Sequence, residues 1–174
     1  VRSAVLQIAD RSVKRLLRLI GVTQAGAWHG NDTAWRMSLD LARIALYADP
    51  PGTMQDTPQR TVLSIIDGIV AGEGEGPLSP EAVKAGALIF SDDLVKADWL
   101  ACKLMGHDPE KIPLVREAFK SMRYSLARGP ATSGRVVSNR PADASGILPA
   151  LPRAFKTPVG WRGSIEEAQV RSHV

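Results

Sequence analysis

Three short stretches of this sequence hold most of its candidate chemistry. The first is Asp67-Gly-Ile-Val-Ala-Gly-Glu-Gly-Glu-Gly-Pro77, where Asp67, Glu73 and Glu75 are spaced by glycines at 68, 72, 74 and 76. Carboxylate oxygens are what hard cations such as Mg2+ select. They also hydrogen-bond hydroxyl groups and serve as general acids and bases. Glycines such as Gly72 and Gly74 reach backbone angles closed to other residues and let a ligand approach the main chain. The run lacks the G-x-x-x-x-G-K-S/T spacing of a phosphate loop, and two glutamates would repel bare phosphate. The competing reading is a surface turn whose glutamates face water.

The second stretch is Ser91-Asp92-Asp93, with Asp98 further on. Carboxylates forced together drive one pKa upward, which separates acid from base. The alternative is that one of Asp92 and Asp93 caps the helix that follows. The third stretch runs from Trp28 to Arg36. Asn31 and Asp32 stand at a helix start, where free amides favour anions, and Arg36 is a candidate anion clamp. Capping by Asp32, with Trp28 and Trp35 in the core, accounts for the same residues without a ligand. His29 has no second ligand at fixed spacing, and Cys102 lies between Leu100 and Leu104 as a small buried hydrophobe would. The expected ligand-binding set is therefore Asn31, Asp32, Arg36, Asp67, Gly72, Glu73, Gly74, Glu75, Asp92 and Asp93. Asp67, Glu73 and Glu75 are the expected metal ligands, for Mg2+ or another divalent cation, and no catalytic residue is assigned.

These side chains need elements to hold them. Apolar residues from Val5 to Ile20 recur at spacings of three and four, the pattern of an amphipathic helix. A second helix is expected from Asp32 or Thr33 to the Asp49-Pro-Pro-Gly break. Thr61–Ile66 and Ala85–Phe90 read as short buried strands, with a loop between them. A helix capped by Ser91, Asp92 or Asp93 and running to about Met105 ends at Gly106, and a short one starts at Asp108-Pro109 and resumes after Pro113. Arg135–Ser138 is a weak strand candidate. The order suggests an α/β fold: a small, mostly parallel sheet flanked by helices, followed by an irregular, Pro/Gly-containing C-terminal tail. In a parallel sheet Asp67 and Asp92 share one end, where α/β proteins gather ligands.

Charge divides the chain. Residues 1–119 carry 13 Lys and Arg against 15 Asp and Glu, whereas residues 120–174 carry 9 against 3. The tail's charges are dispersed among prolines and glycines, which points away from nucleic acid. With one cysteine, an internal disulfide and an iron–sulfur cluster lack ligands, and a reducing, cytoplasmic setting is expected. No stretch is long and apolar enough for a membrane span. The chain begins at Val1 rather than methionine, which fits a fragment or a processed product.

The stretches WHGNDTAWRMSLDLARIALYAD and LSIIDGIVAGEGEGPLSPEAVKAGALIFSDDLVKADWLACKLMGHDPEKIPLVREAF resemble the carboxyl half of the family known as domain of unknown function 362. Phe155-x-x-Pro-x-Gly-Trp161 is similar to the end of that half. The resemblance implies a partial family domain over 1–126, with 127–174 as a basic tail. It also implies that the amino-terminal half, or a ferredoxin-type protein, is a partner. Two functions follow as expectations. One is binding of a small polar or anionic ligand, with or without a divalent metal. The other is a non-catalytic accessory or electron-transfer-associated module that docks on a partner.

Overall fold

A computed structural model describes residues 28–77, 79–133, 135–139, 151 and 154–166. The amphipathic helix expected over Val5–Ile20 lies outside the described residues.

The first helix, α1, spans Ala34–Tyr47. Its Leu39 enters a core cluster with Val95, Ala118 and Leu126, against which Trp35, Ala42 and Leu46 also pack. These positions recur at three and four, so one stripe of the helix faces the core. The helix stops at Ala48, which is extended, one residue before the Asp49-Pro50-Pro51 sequence that cannot continue it.

Four strands follow: β1 (Ser64–Gly68), β2 (Ala71–Glu75), β3 (Ser79–Val83) and β4 (Ala87–Ser91). They form two separate antiparallel ribbons, β1 with β4 and β2 with β3. The expected mostly parallel sheet is thus corrected to two small antiparallel pairs. Parallel neighbours need a long crossover, usually a helix. Here the chain between β1 and β4 is spent on the β2–β3 hairpin, so β4 returns antiparallel. Gly, Glu and Pro are depleted in strands, which is why Ala71–Glu75 and Ser79–Val83 read as loop from their sequence. Arg135–Ser138 forms no strand.

On one face of the first ribbon, Ile66 and Ile89 pack on Leu100, Ala101 and Leu104 of the second helix, α2 (Leu94–Leu104). Asp93 caps α2, and Gly106, at φ +75°, follows its end. A 3-10 turn at Pro109–Lys111 capped by Asp108 leads into α3 (Pro113–Ala118). These boundaries agree closely with the expected ones, because each is marked by a capping Asp, a Pro or a Gly. Residues 154–166 return to the body: Phe155 and Ile165 are buried, and Glu166 bridges to His107. No helix among the described residues is long and apolar enough to cross a membrane.

Candidate functional site

The glycine-rich acidic stretch is strand β2, and its carboxylates are engaged within the protein. Glu73 is buried, and its Oε2 accepts the main-chain N–H of Lys156 at 2.9 Å. Glu75 Oε1 accepts the N–H of Val159 at 2.7 Å, and Gly74 N–H donates to the Lys156 carbonyl at 2.9 Å. Glu73 stands directly across the ladder from Glu81, a like-charge pairing that costs stability when uncompensated. The Lys156 ammonium compensates it: it forms an ion pair with Glu81 and lies 3.7 Å from Glu73 Oε1. The glycines have structural causes as well. A Cβ on Gly72 would sit 2.8 Å from Pro80 Cβ, and Gly74 holds φ at +74°.

The remaining acids are not gathered on one rim. Asp67 lies opposite Leu88, at the start of β4, whereas Asp92 follows Ser91, at its end. Four residues of extended chain separate those two levels by roughly 14 Å. The antiparallel register is the reason, since a shared end requires parallel strands. Asp67 exposes its side chain and accepts Ile69 N–H at 3.1 Å. Among the described residues there is no group of three or more His, Cys, Asp or Glu side chains that could hold a metal ion.

The loop before α1 forms a local surface cluster. Asn31 Oδ1 accepts from both the N–H and the hydroxyl of Thr33, at 3.1 and 2.8 Å. Arg36 pairs with Asp32 at 3.0 Å, and its guanidinium lies 4.3 Å from the centre of the Trp35 ring. The expected capping by Asp32 is corrected: Thr33 is the N-cap residue and no side chain caps α1, since Asn31 bonds Thr33 itself and Asp32 is turned to Arg36. Trp35 packs on the core while Trp28 is exposed. His29 meets the edge of Trp161 at 5.4 Å. Cys102 is buried, and burial, then the nearby Asp98 charge, pushes its thiol up to about 12. It is a packed hydrophobe rather than a nucleophile.

Elsewhere the fold leaves one sizeable cavity among the described residues. A cavity of about 890 Å3 lies between β4, α2 and a strap formed by residues 128–133 and 135–139. Ile89, Trp99, Leu100 and Leu104 supply its apolar wall. The strap is pinned at the start of α2. Asp93 Oδ1 accepts the N–H groups of Val95 and Lys96, and its Oδ2 accepts the N–H of Arg128. Asp92 Oδ2 takes the Arg128 guanidinium at 2.8 Å. Lys96 Nζ donates to the carbonyls of Arg128 and Ser133 and to Ser133 Oγ, at 2.9, 2.8 and 3.0 Å. Serine and lysine at this distance match a nucleophile and base by type. However, an ammonium that donates three bonds offers no lone pair, and Lys96 is a tether.

Two cations lining the cavity remain. Lys84 and Arg135 are exposed and make no ion pair or side-chain hydrogen bond among the described residues. Neither belongs to the set expected from sequence, because a lone cation among small and apolar residues carries no spacing signal. Asp92 and Asp93 do belong to that set and line the cavity, as parts of its frame.

A family model described as Domain of unknown function (DUF362) matches residues 11–103. No curated protein and no solved structure matches the chain.

Proposed function

The chain belongs to the family of domain of unknown function 362, and from that premise we propose that it binds an anionic ligand in the cavity beside β4. Membership leaves the activity to be argued from the site itself. The observation that carries the reading is a pair of cations unspent among the described residues, Lys84 and Arg135, on a cavity whose other charges are internally matched. Its volume lies within the range of ligand pockets, and its lining joins an apolar wall to a polar, charged rim. The carboxylates of β2 favour a structural part in this reading, since Glu73 and Glu75 hold the main chain of the tail.

Thermal unfolding in the presence of acetate, benzoate, citrate and glutamate, each matched for ionic strength, tests the reading. At least one organic anion raises the midpoint, and Lys84→Ala/Arg135→Ala abolishes the rise while leaving the ligand-free midpoint unchanged. No rise with any anion, or an equal rise in the double variant, overturns it. The same assay with Mg2+, Mn2+ and Ca2+ reports on the metal alternative.

A second reading, a module that docks on a partner protein, is favoured by one surface. Ile65 and Phe90 are cross-strand neighbours on the outer face of the first ribbon, with Leu88 beside them, and all three are more than half exposed. Contiguous apolar exposure of this kind marks interaction surfaces. Ile65→Lys, at a position outside the cavity lining, would abolish co-purification with such a partner and leave anion binding intact.

A further inference from the structure

We propose that the ligand of this cavity is an extended acidic peptide, taken up as an additional strand on the free edge of β4. This rests on the reading that the cavity binds an anion, and it names the kind of anion.

Strand β4 pairs with β1 alone among the described residues. In an antiparallel pair, alternate residues of each strand direct their N–H and C=O groups away from the partner. Among the described residues the outer edge of β4 therefore presents unpaired main-chain donors and acceptors, and every residue from Val83 to Asp93 lines the cavity. A guest that brings only a charged head leaves these groups unanswered. A guest with its own main chain answers them.

The edges of the two ribbons differ in protection. Proteins blunt exposed strand edges with proline, charge or short length. Strand β3 follows that practice, with Pro80 and Glu81 at its middle. Strand β4 reads Ala-Leu-Ile-Phe-Ser, with neither proline nor charge. An apolar, uncharged edge left open beside a cavity fits a site whose partner is another strand. The alternation of β4 suits it too: Ile89 is buried against α2, while Leu88 and Phe90 point to the other face. An added strand thus meets apolar side chains on both faces of the ribbon.

Charge selects among peptides. Lys84 and Arg135, without counter-ions among the described residues, favour glutamate or aspartate side chains in the incoming strand. The acids at the cavity, Asp92 and Asp93, are occupied by Arg128 and by main-chain N–H groups. A basic peptide would find no unmatched carboxylate there.

The experiment uses the full chain and a fluorescein-labelled, end-capped peptide of alternating glutamate and valine, followed by fluorescence anisotropy. Three comparison probes are the lysine–valine peptide, the glutamate–valine peptide N-methylated at alternate residues on either register, and free glutamate as competitor. The glutamate–valine peptide binds saturably. The lysine–valine peptide and one N-methylated register bind at least about tenfold more weakly. Lys84→Ala/Arg135→Ala lowers affinity for the acidic peptide by a similar factor. Equal binding of both N-methylated registers overturns strand addition while leaving anion binding in place, and so does a lack of peptide binding when small anions still raise the midpoint. If neither peptide nor small anion binds, both readings fall. Ile65→Lys, on the outer face of β1, serves as the control for nonspecific apolar contact and leaves peptide affinity unchanged.

Discussion

The main-chain N–H of Lys156 donates to the buried carboxylate of Glu73 at 2.9 Å, a bond that closes 83 positions of sequence. The acidic, glycine-rich strand is thus the dock for the returning tail. Glu73→Leu leaves that N–H without its acceptor, at a cost of about 1–3 kcal/mol. Glu73→Gln keeps an acceptor oxygen for that N–H and removes the negative charge that faces the half-exposed Lys156 ammonium, a smaller loss than that of the acceptor itself. Urea titrations order the variants wild type, then Gln, then Leu, and limited proteolysis cuts the Leu variant first in the segment around Lys156. Equal loss in Gln and Leu would show that charge, not the hydrogen bond, holds the tail.

Gly106 is fixed by two independent constraints. It holds φ at +75°, and a Cβ there would lie 2.8 Å from Ala154 Cβ. Gly106→Ala is expected to destabilise the protein by about 1–3 kcal/mol, from backbone strain and overpacking together. Gly30→Ala meets positive φ alone, with nothing near its Cβ, and costs about 1 kcal/mol. Thermal melts of the two variants measure the difference. A smaller loss at Gly106 than at Gly30 contradicts the packing argument.

What can be read from sequence follows a physical divide. Helix α2 is legible because its boundary signals are local: Asp93 caps it within three residues and Gly106 ends it. The strands β1 and β4 are legible as apolar runs, but each begins later than expected and exposes one face rather than being buried on both. Their direction is not legible, because nothing in TVLSII or ALIF states which way a partner runs. Strand β2 is illegible as a strand. Its pairing depends on Glu81 across the ladder and Lys156 far along the chain, and no local window contains both. The same holds for the site. Glu73 and Glu75, clustered in sequence, accept main-chain N–H groups of the tail, while Lys84 and Arg135, 51 positions apart by their numbers, come to one cavity only through the fold.

Burial pushes the Cys102 thiol up to about 12, well above the ordinary value near 8.5. The folded protein therefore keeps its proton where the unfolded chain has lost it. Stability contributed by the thiol is complete below the unfolded value and declines as pH rises from about 9 toward 12. Iodoacetamide at pH 8.5 is expected to leave native Cys102 unmodified over hours and to alkylate it within minutes in denaturant, as read by intact mass. Cys102→Ala softens the alkaline loss of stability. Rapid native alkylation would contradict this placement.

The contact between the tail and the segment after α2 carries the opposite pH sign. Burial lowers the His107 pKa, partly offset by the Glu166 charge, and its buried Nδ1 has no hydrogen-bond partner among the described residues. Glu166 is held down to about 2 by the Thr157 hydroxyl and then by the Gly163 N–H. Below the ordinary histidine value of about 6.5 the unfolded chain takes up a proton that folded His107 resists, so stability falls as pH falls. The Glu166 contribution is complete above the ordinary carboxylate range and is lost from there down toward pH 2. Hydrogen exchange at Ile165 and Phe155, corrected for intrinsic rate, should speed up between pH 7 and 5, and His107→Gln should remove that step. An unchanged step in the variant places its origin elsewhere.

Asp92 and Asp93 are adjacent and chemically identical, and the fold gives them unequal weight. Asp93 is buried and accepts from three main-chain N–H groups, those of Val95, Lys96 and Arg128. Asp92 is exposed, and its pairing with Arg128 leaves both side chains mostly in water. Loss of a cap costs about 0.5–2 kcal/mol, and an abandoned N–H at Arg128 adds about 1–3 kcal/mol. Asp93→Ala should therefore be severely destabilising, while Asp92→Ala should change stability by less than about 1 kcal/mol. Asp93→Asn separates the two parts. Its amide oxygen still accepts at the helix start, but its NH2 turns a donor toward the Arg128 N–H, so the strap loosens while α2 persists. Denaturant midpoints and hydrogen exchange at Arg128 distinguish the three variants. Equal effects from Asp92→Ala and Asp93→Ala would mean that the strap is held by charge alone, and that the cavity beside β4 has no fixed frame.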